Sequence, residues 1–195
     1  AISGAALTGI ASDFVKLQSA TGADLGGGLI FDNLDTATYR AFELYYALLP
    51  DSSADGYYPR LLFRTGGGSG ADDTSSHYSY GYSYTYQNDG IGYIARINSD
   101  YAGIAHTVGG QAAVEGINGT MRIMLHRSTD GFAAGGGGSS AHWQSGHHNE
   151  VENWRQTVGT TVYNNSSAVN HTGFKIYMNS GGFDNYQYAL YGLKG

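Results

Sequence analysis

Five tyrosines alternate with small residues in the segment YSYGYSYTY. If this segment is a strand, Tyr78, Tyr80, Tyr82, Tyr84 and Tyr86 share one face, because alternate side chains of a strand point the same way. One interpretation is that the rings pack on the core, or on another subunit, with their hydroxyl groups at the rim. The other is that the row of rings stacks on sugars or receptor groups. The residues favour packing, and binding stays open as the alternative.

The segment HWQSGHHNE holds the densest group of potential metal ligands, with three histidines and a glutamate. Its spacing matches neither H-E-x-x-H nor a Cys/His pattern, so we predict no bound metal and no cofactor. We expect a solvated or interfacial loop, with His142, Trp143, His147 and His148 as candidate binding residues. A metal site or a pH-sensitive contact is the alternative. The dispersed histidines are predicted to be structural: His77, His106, His126 and His171.

Other segments resemble functional motifs only in part. DSSADG from Asp51 begins like a calcium loop, but Leu62 occupies the position that needs a bidentate Glu. GGGSGA is followed by Asp72 and Asp73, which repel phosphate, although these two carboxylates offer a weak site for a cation. No nucleophile elbow or assembled acid pair is evident, so we predict a protein that is not an enzyme.

The composition limits both the class of protein and its partners. The chain has 195 residues with 41% hydrophobic content, which is enough for one core and one domain. Its net charge of -6 with only 10 Lys plus Arg argues against nucleic-acid or membrane-surface binding. No apolar run is long enough for membrane insertion. The absence of cysteine excludes disulfides and thiolate chemistry.

Short apolar or alternating runs between turn signals predict an all-β fold. With 31 glycines, 17 tyrosines and 2 prolines, the chain suits an antiparallel β-sandwich, jelly-roll-like, with long Gly-rich loops. The loops are TGGGSGADDTSS and AAGGGGSS, and residues 1–12 form a possible N-terminal extension or arm. TYRAFELYYALLP also matches helical spacing, but its alternation and aromatic content favour a strand. The predicted strands are Phe14 to Leu17, Leu29 to Phe31, Ala41 to Leu49, Leu61 to Arg64, Tyr78 to Tyr86, Ile91 to Ile97, Ile104 to Val108, Met121 to Leu125, Trp154 to Tyr163, Phe174 to Met178 and Tyr188 to Leu193.

Several segments, taken in order, resemble the tail-fibre-like and virion surface proteins of marine bacteriophages. They are LIFDNLDTATYRAFELYYALLP, RLLFRTGGG, HYSYGYSY, GTMRIMLHRST and FKIYMNSGGFDNYQYALYGLKG, which together reach nearly the length of the chain. The resemblance implies a β-sandwich that assembles as a homotrimer with other virion proteins on the tail or capsid exterior. It carries no catalytic residues. The His-rich segment and the tyrosine row depart from the general pattern, which leaves the binding target open.

Three functions follow as expectations. The first is a non-enzymatic virion structural protein at the virion surface, acting in host attachment or particle stabilisation and binding copies of itself and a host-surface glycan. The second is a carbohydrate-binding module that uses the Tyr78 to Tyr86 face. The third is a glycoside-cleaving enzyme, which needs two carboxylates about 5 to 10 Å apart. The sequence does not place its glutamates, Glu43, Glu115, Glu150 and Glu152, relative to one another.

Overall fold

Every regular element in the described part of the chain is a β-strand. The computed structural model describes residues 13–51, 57–66, 70–85, 90–110, 115–126, 138–148, 154–165 and 169–194. The strands are β1 (Phe14–Leu25), β2 (Leu29–Phe31), β3 (Tyr39–Pro50), β4 (Pro59–Thr65), β5 (Ala71–Asp72), β6 (Tyr78–Thr85), β7 (Ile91–Ser99), β8 (Ala102–Gly103), β9 (Gly116–Met124), β10 (Ser140–His148), β11 (Trp154–Tyr163), β12 (His171–Met178) and β13 (Phe183–Lys194).

The strands form two antiparallel sheets that pack face to face. The large sheet has eight strands in the order β1-β13-β3-β9-β10-β11-β6-β7. The small sheet has the order β2-β12-β4-β5, and β8 pairs with β4. The predicted all-β antiparallel sandwich is therefore confirmed, with strands divided unequally between its two layers.

Alternation along β3 shows how the large sheet separates its two faces. Phe42, Leu44 and Tyr46 are buried against the small sheet, whereas Tyr45 and Ala47 are exposed on the opposite face. This period of two is the strand pattern, and the helical alternative for this segment is wrong. We call the face that carries Tyr45 and Ala47 the outer face of the large sheet.

The two sheets share one apolar core. From the small sheet, Phe63 on β4 and Phe174 on β12 are fully buried. Phe31 on β2 contacts the ring of Phe174 with centroids 4.6 Å apart, and it meets Tyr188 of the large sheet edge-on at 5.0 Å. Aromatic rings thus connect the two layers.

The last strand lies inside the large sheet. β13 pairs with β1 on one side and with β3 on the other, and Leu190 is fully buried. Tyr191, on the outer face, stacks on Phe14 with centroids 4.7 Å apart. The N–H of Lys194 donates to the carbonyl of Asp13 at 2.8 Å, so β1 begins beside the end of β13. The predicted closing strand, Tyr188 to Leu193, thus lies within β13, an interior strand with large side chains on both faces.

Other predictions have different outcomes. The Ile104 to Val108 segment is wrong as a strand: it is a buried loop in which Val108 makes a single bridge to Tyr57. The Gly-rich loop after Thr65 contains the short β5. The predicted N-terminal arm, residues 1–12, and most of the second Gly-rich segment lie outside the described residues. None of the described residues belongs to an apolar helix of the length needed to cross a bilayer.

Candidate functional site

The tyrosine row on β6 faces the core. Tyr78, Tyr80, Tyr82 and Tyr84 are between 0% and 8% exposed. Their rings are covered from the small sheet and from the loop after β8: Tyr78 stacks on Phe63. A ring with so little exposed surface cannot serve as a sugar platform, so this placement supports the packing interpretation. Tyr86 lies outside the described residues.

The hydroxyl groups of this row bind backbone atoms. Tyr78 Oη accepts the N–H of Phe63 at 2.8 Å and donates to the carbonyl of Asp73 at 2.9 Å. Tyr82 Oη donates to the carbonyl of Ala105 at 3.3 Å. Burial raises the pKa of the Tyr78 and Tyr82 hydroxyls above the ordinary value, so both groups stay protonated. The tyrosine row therefore connects the large sheet to the small sheet and to the loop after β8.

The His-rich segment is a strand, which corrects the loop predicted for it. It forms β10 between β9 and β11, paired along its whole length on both sides. Alternation then separates the candidate residues: Trp143 and His147 point into the core, whereas His142 and His148 lie on the outer side. The four residues therefore form no single binding loop. Within the described residues no three potential ligands come together in a way that could hold a metal ion.

The core side of β10 and β11 carries a buried polar patch. His147 is 0% exposed, and neither of its ring nitrogens has a hydrogen-bond partner among the described residues. The buried hydroxyls of Ser145 and Thr157, which face each other across the two strands, also have none there. Burial, followed by the charges of Arg155, His106 and His148, lowers the pKa of His147 to about 3. His147 is therefore neutral in the folded protein at ordinary pH.

A loop covers this patch. Arg155 on β11 donates from Nη1 to Nδ1 of His106 at 2.6 Å and to Oγ1 of Thr107 at 3.1 Å. The N–H of Gly109 donates to the carbonyl of His148 at 2.8 Å. Residues 104–110 thus close the end of the sandwich over β10 and β11, in place of the strand predicted there.

A serine, a histidine and an aspartate form a chain of hydrogen bonds at the opposite end of β10. Ser139 Oγ lies 2.8 Å from His171 Nδ1, and His171 Nε2 lies 3.3 Å from Asp73 Oδ2. Ser139 and His171 are both 0% exposed, and Ser139 Oγ also accepts the N–H of His126. A hydroxyl buried in this way is closed to a substrate, and its hydrogen bonds connect β12 to the ends of the neighbouring loops.

The acidic residues of the first Gly-rich loop bind cations of the protein itself. Arg64 Nε contacts Asp32 at 2.8 Å, and its other nitrogens reach Asp72 and the carbonyl of Gly70. Lys175 Nζ contacts Asp72 at 3.0 Å. These ion pairs connect the loop to β4 and β12.

Two glutamates that a glycosidase could use are far apart. Glu43 pairs in register with Arg122 on β9, and Glu115 precedes the first residue of that strand. At about 3.3 Å per residue, the seven positions from 115 to 122 separate them by about 23 Å. A pair that cleaves a glycosidic bond needs its carboxylates within about 10 Å. Glu150 and Glu152 lie outside the described residues.

A register row of polar and small residues crosses the outer face of the large sheet. The residues are paired in register on six successive strands, β1-β13-β3-β9-β10-β11. The row consists of Thr21, Gln187, Ala47, Asn118, Gly146 and Gln156. Three adjoining depressions of about 620, 460 and 320 Å³ lie along it. Asn118 lines all three depressions, so we treat them as one feature, the outer groove.

Trp154 provides an exposed aromatic surface in the outer groove. Its side chain is 47% exposed and lies against Gly146, where an added Cβ would be 2.6 Å from Cζ2 of the indole. The ring of His148 meets the indole edge-on, with centroids 5.2 Å apart. Tyr45, 42% exposed, lines the groove on β3. Sequence reasoning missed this groove, because its residues come from distant segments and meet only through the sheet register.

No protein-family model, curated protein or solved structure matches this chain.

Proposed function

We propose that this chain is a non-enzymatic structural protein of a bacteriophage virion exterior, on the tail or capsid, which assembles with copies of itself. It acts in host attachment or in stabilising the particle. The resemblance of its ordered segments to marine phage surface proteins supports the virion setting. The observation that carries the self-assembly is the free edge of the large sheet.

That edge is β7, which among the described strands pairs with β6 alone. The three most exposed large apolar side chains in the described part of the chain all belong to it: Ile91, Tyr93 and Ile97 are 62%, 75% and 77% exposed. A long edge strand with apolar side chains presents unpaired backbone groups and invites pairing with another strand. Its only charged residue is Arg96.

A second copy of the chain suits this edge. Only 13% of all residues are charged, so little repulsion opposes contact between copies. The other edge of the same sheet, β1, is also a long strand, and pairing β7 of one copy with β1 of the next gives a head-to-tail contact, which forms a ring where the rotation between copies closes. The resemblance favours three copies in that ring.

Light scattering with size-exclusion chromatography tests the assembly. We expect a trimer at micromolar concentration, and we expect the Tyr93→Lys/Ile97→Lys variant to be monomeric with an unchanged melting temperature. The control is Val158→Lys, a half-exposed position on the outer face of β11. A monomeric wild-type protein would contradict the self-assembly. Imaging of particles with a labelled antibody tests the virion location, and an unlabelled particle would contradict it.

The carbohydrate-binding module is the second candidate, because of the outer groove rather than the tyrosine row. A monomer that binds glycans and is absent from particles would favour it. A particle-bound oligomer favours the first proposal.

A further inference from the structure

The outer groove has the dimensions of a site for a linear polymer. Six strands at about 4.8 Å spacing give a length of about 24 Å across the sheet. The groove runs perpendicular to the strands, and its floor is built from regular, paired backbone. Such a floor is rigid, so a ligand meets a preformed surface.

The side chains of the groove are suited to hydroxyl groups. Asn118, Gln156 and Gln187 present amides, each with two donors and an acceptor with two lone pairs, and Thr21 adds a hydroxyl. Neighbouring amides lie about 9.6 Å apart, because Gln187, Asn118 and Gln156 occupy every second strand of one register row. A repeating polymer with hydroxyl groups on every unit matches such an array.

Trp154 adds an apolar surface beside these amides. Trp154 is 47% exposed and lines the groove, and Gly146 beneath its indole and His148 at its edge hold the ring in place. An exposed, positioned indole favours a ligand with a flat apolar face, such as the C–H face of a pyranose ring. Tyr45 lies three strands away, about 14 Å across the sheet, and offers a second aromatic contact.

The charge of the groove argues against other polymers. Among the described residues that line it, the charged ones are one cation and one anion, Lys16 and Glu115. A nucleic acid needs several cations along its phosphates, and the chain as a whole carries a charge of -6. An extended peptide is usually bound along a sheet edge, whereas this groove crosses the middle of a face. An anionic polysaccharide would also require more cations.

We propose that the outer groove binds a neutral polysaccharide, with Trp154 stacking on a sugar ring and Asn118 and Gln156 hydrogen-bonding its hydroxyl groups. This proposal rests on the proposed function in host attachment. It specifies the class of ligand that the protein would bind in that function.

The test uses the full chain and a panel of immobilised polysaccharides: neutral glucans, mannans, galactans and xylans, with alginate and chondroitin sulfate as anionic members. We expect binding to at least one neutral member and none to the anionic ones. Trp154→Ala should weaken that binding at least tenfold, as expected for a central aromatic anchor. Asn118→Ala should weaken it about fivefold, the effect of about one lost hydrogen bond. Gly146→Val, which displaces the indole without removing it, should weaken it as well.

The control is Val162→Ala, another exposed position on β11, which lies eight residues from Trp154 and about 26 Å along the strand. It should leave binding within about twofold of wild type, because a surface contact away from the ligand contributes little. Melting temperatures of Trp154→Ala, Asn118→Ala and Val162→Ala should match wild type, since each of these side chains is on the solvent side.

Four outcomes would overturn the assignment. They are no binding to any neutral member, binding to anionic members alone, equal binding by Trp154→Ala, and a change of oligomeric mass in Trp154→Ala, which would make the groove a subunit contact. The virion proposal is judged separately by particle imaging. A labelled particle without glycan binding removes the groove assignment alone, and glycan binding by a chain absent from particles removes the virion proposal alone.

Discussion

Acid should destabilise this protein through His147. Burial holds the pKa of this side chain at about 3, against about 6.5 in an unfolded chain. The folded state favours the neutral ring. The contribution of His147 to the free energy of unfolding is therefore fully present above pH 6.5. It is lost as the pH falls from 6.5 toward 3, since the unfolded state then binds a proton that the folded state does not.

The size of the effect follows from the two pKa values. At pH 5 the protonated form of the unfolded histidine exceeds its neutral form about thirtyfold. At 1.36 kcal/mol per pH unit, this protonation stabilises the unfolded state by about 2 kcal/mol. At pH 7.5 the same contribution is below about 0.1 kcal/mol. The free energy of unfolding should therefore fall by about 2 kcal/mol between these two pH values through His147 alone, a large share of a typical domain's stability.

Urea unfolding at pH 7.5 and 5.0 measures this directly. We expect the pH-dependent loss to be about 2 kcal/mol smaller in His147→Leu than in wild type, because leucine fills the site and does not titrate. His142→Gln is the matched control, since His142 lies on the same strand but is exposed on the outer side. It should keep the wild-type pH dependence. Equal pH dependence in wild type and His147→Leu would refute the reasoning.

Three further predictions concern the fold. Arg64→Leu should lower the free energy of unfolding, measured in urea, by about 2 to 4 kcal/mol, because Asp32 and Asp72 lose their partly buried partner. A decrease below about 0.5 kcal/mol would contradict this. Tyr78→Phe should cost about 1 to 3 kcal/mol, since two buried backbone groups lose their hydrogen bond, and a neutral result would show that water replaces the hydroxyl. Deleting the chain from Tyr188 onward should give an insoluble or unfolded product, because β13 joins β1 to β3. A soluble product with the wild-type melting transition would show that the strand is peripheral.

The fold was largely predictable because most strands carry a clear period of two. Tyr78 to Thr85 and Ala41 to Leu49 place aromatic or aliphatic residues on alternate positions, and both are strands with one buried side. β10 was missed for a physical reason. Its buried side carries Trp143, Ser145 and His147, a mixture that reads as polar, and only its pairing on both sides makes it a central strand. Long-range pairing of that kind leaves no local signal.

The candidate site was less predictable than the fold. The tyrosine row and the His-rich segment attract attention because their residues are neighbours in sequence, yet most of these side chains are buried. The outer groove joins Thr21 to Gln187, positions at opposite ends of the chain, through the register of six strands. Thr21 and Gln187 are ordinary polar residues at solvent-facing strand positions. Composition and spacing cannot distinguish them from any other surface residue.

The pairing of β1 with β13 determines how the protein would respond to mechanical force. Asp13 and Lys194 lie side by side, so a pull that separates the two ends of the described chain would open this strand pair like a zipper, one backbone hydrogen bond after another. Opening begins at Phe14 and Leu193 and reaches the pair of Thr21 and Gln187 only after most of the ladder is lost. A tether at a single end avoids this load, and the ladder of β1 and β13 then stays closed beneath the groove.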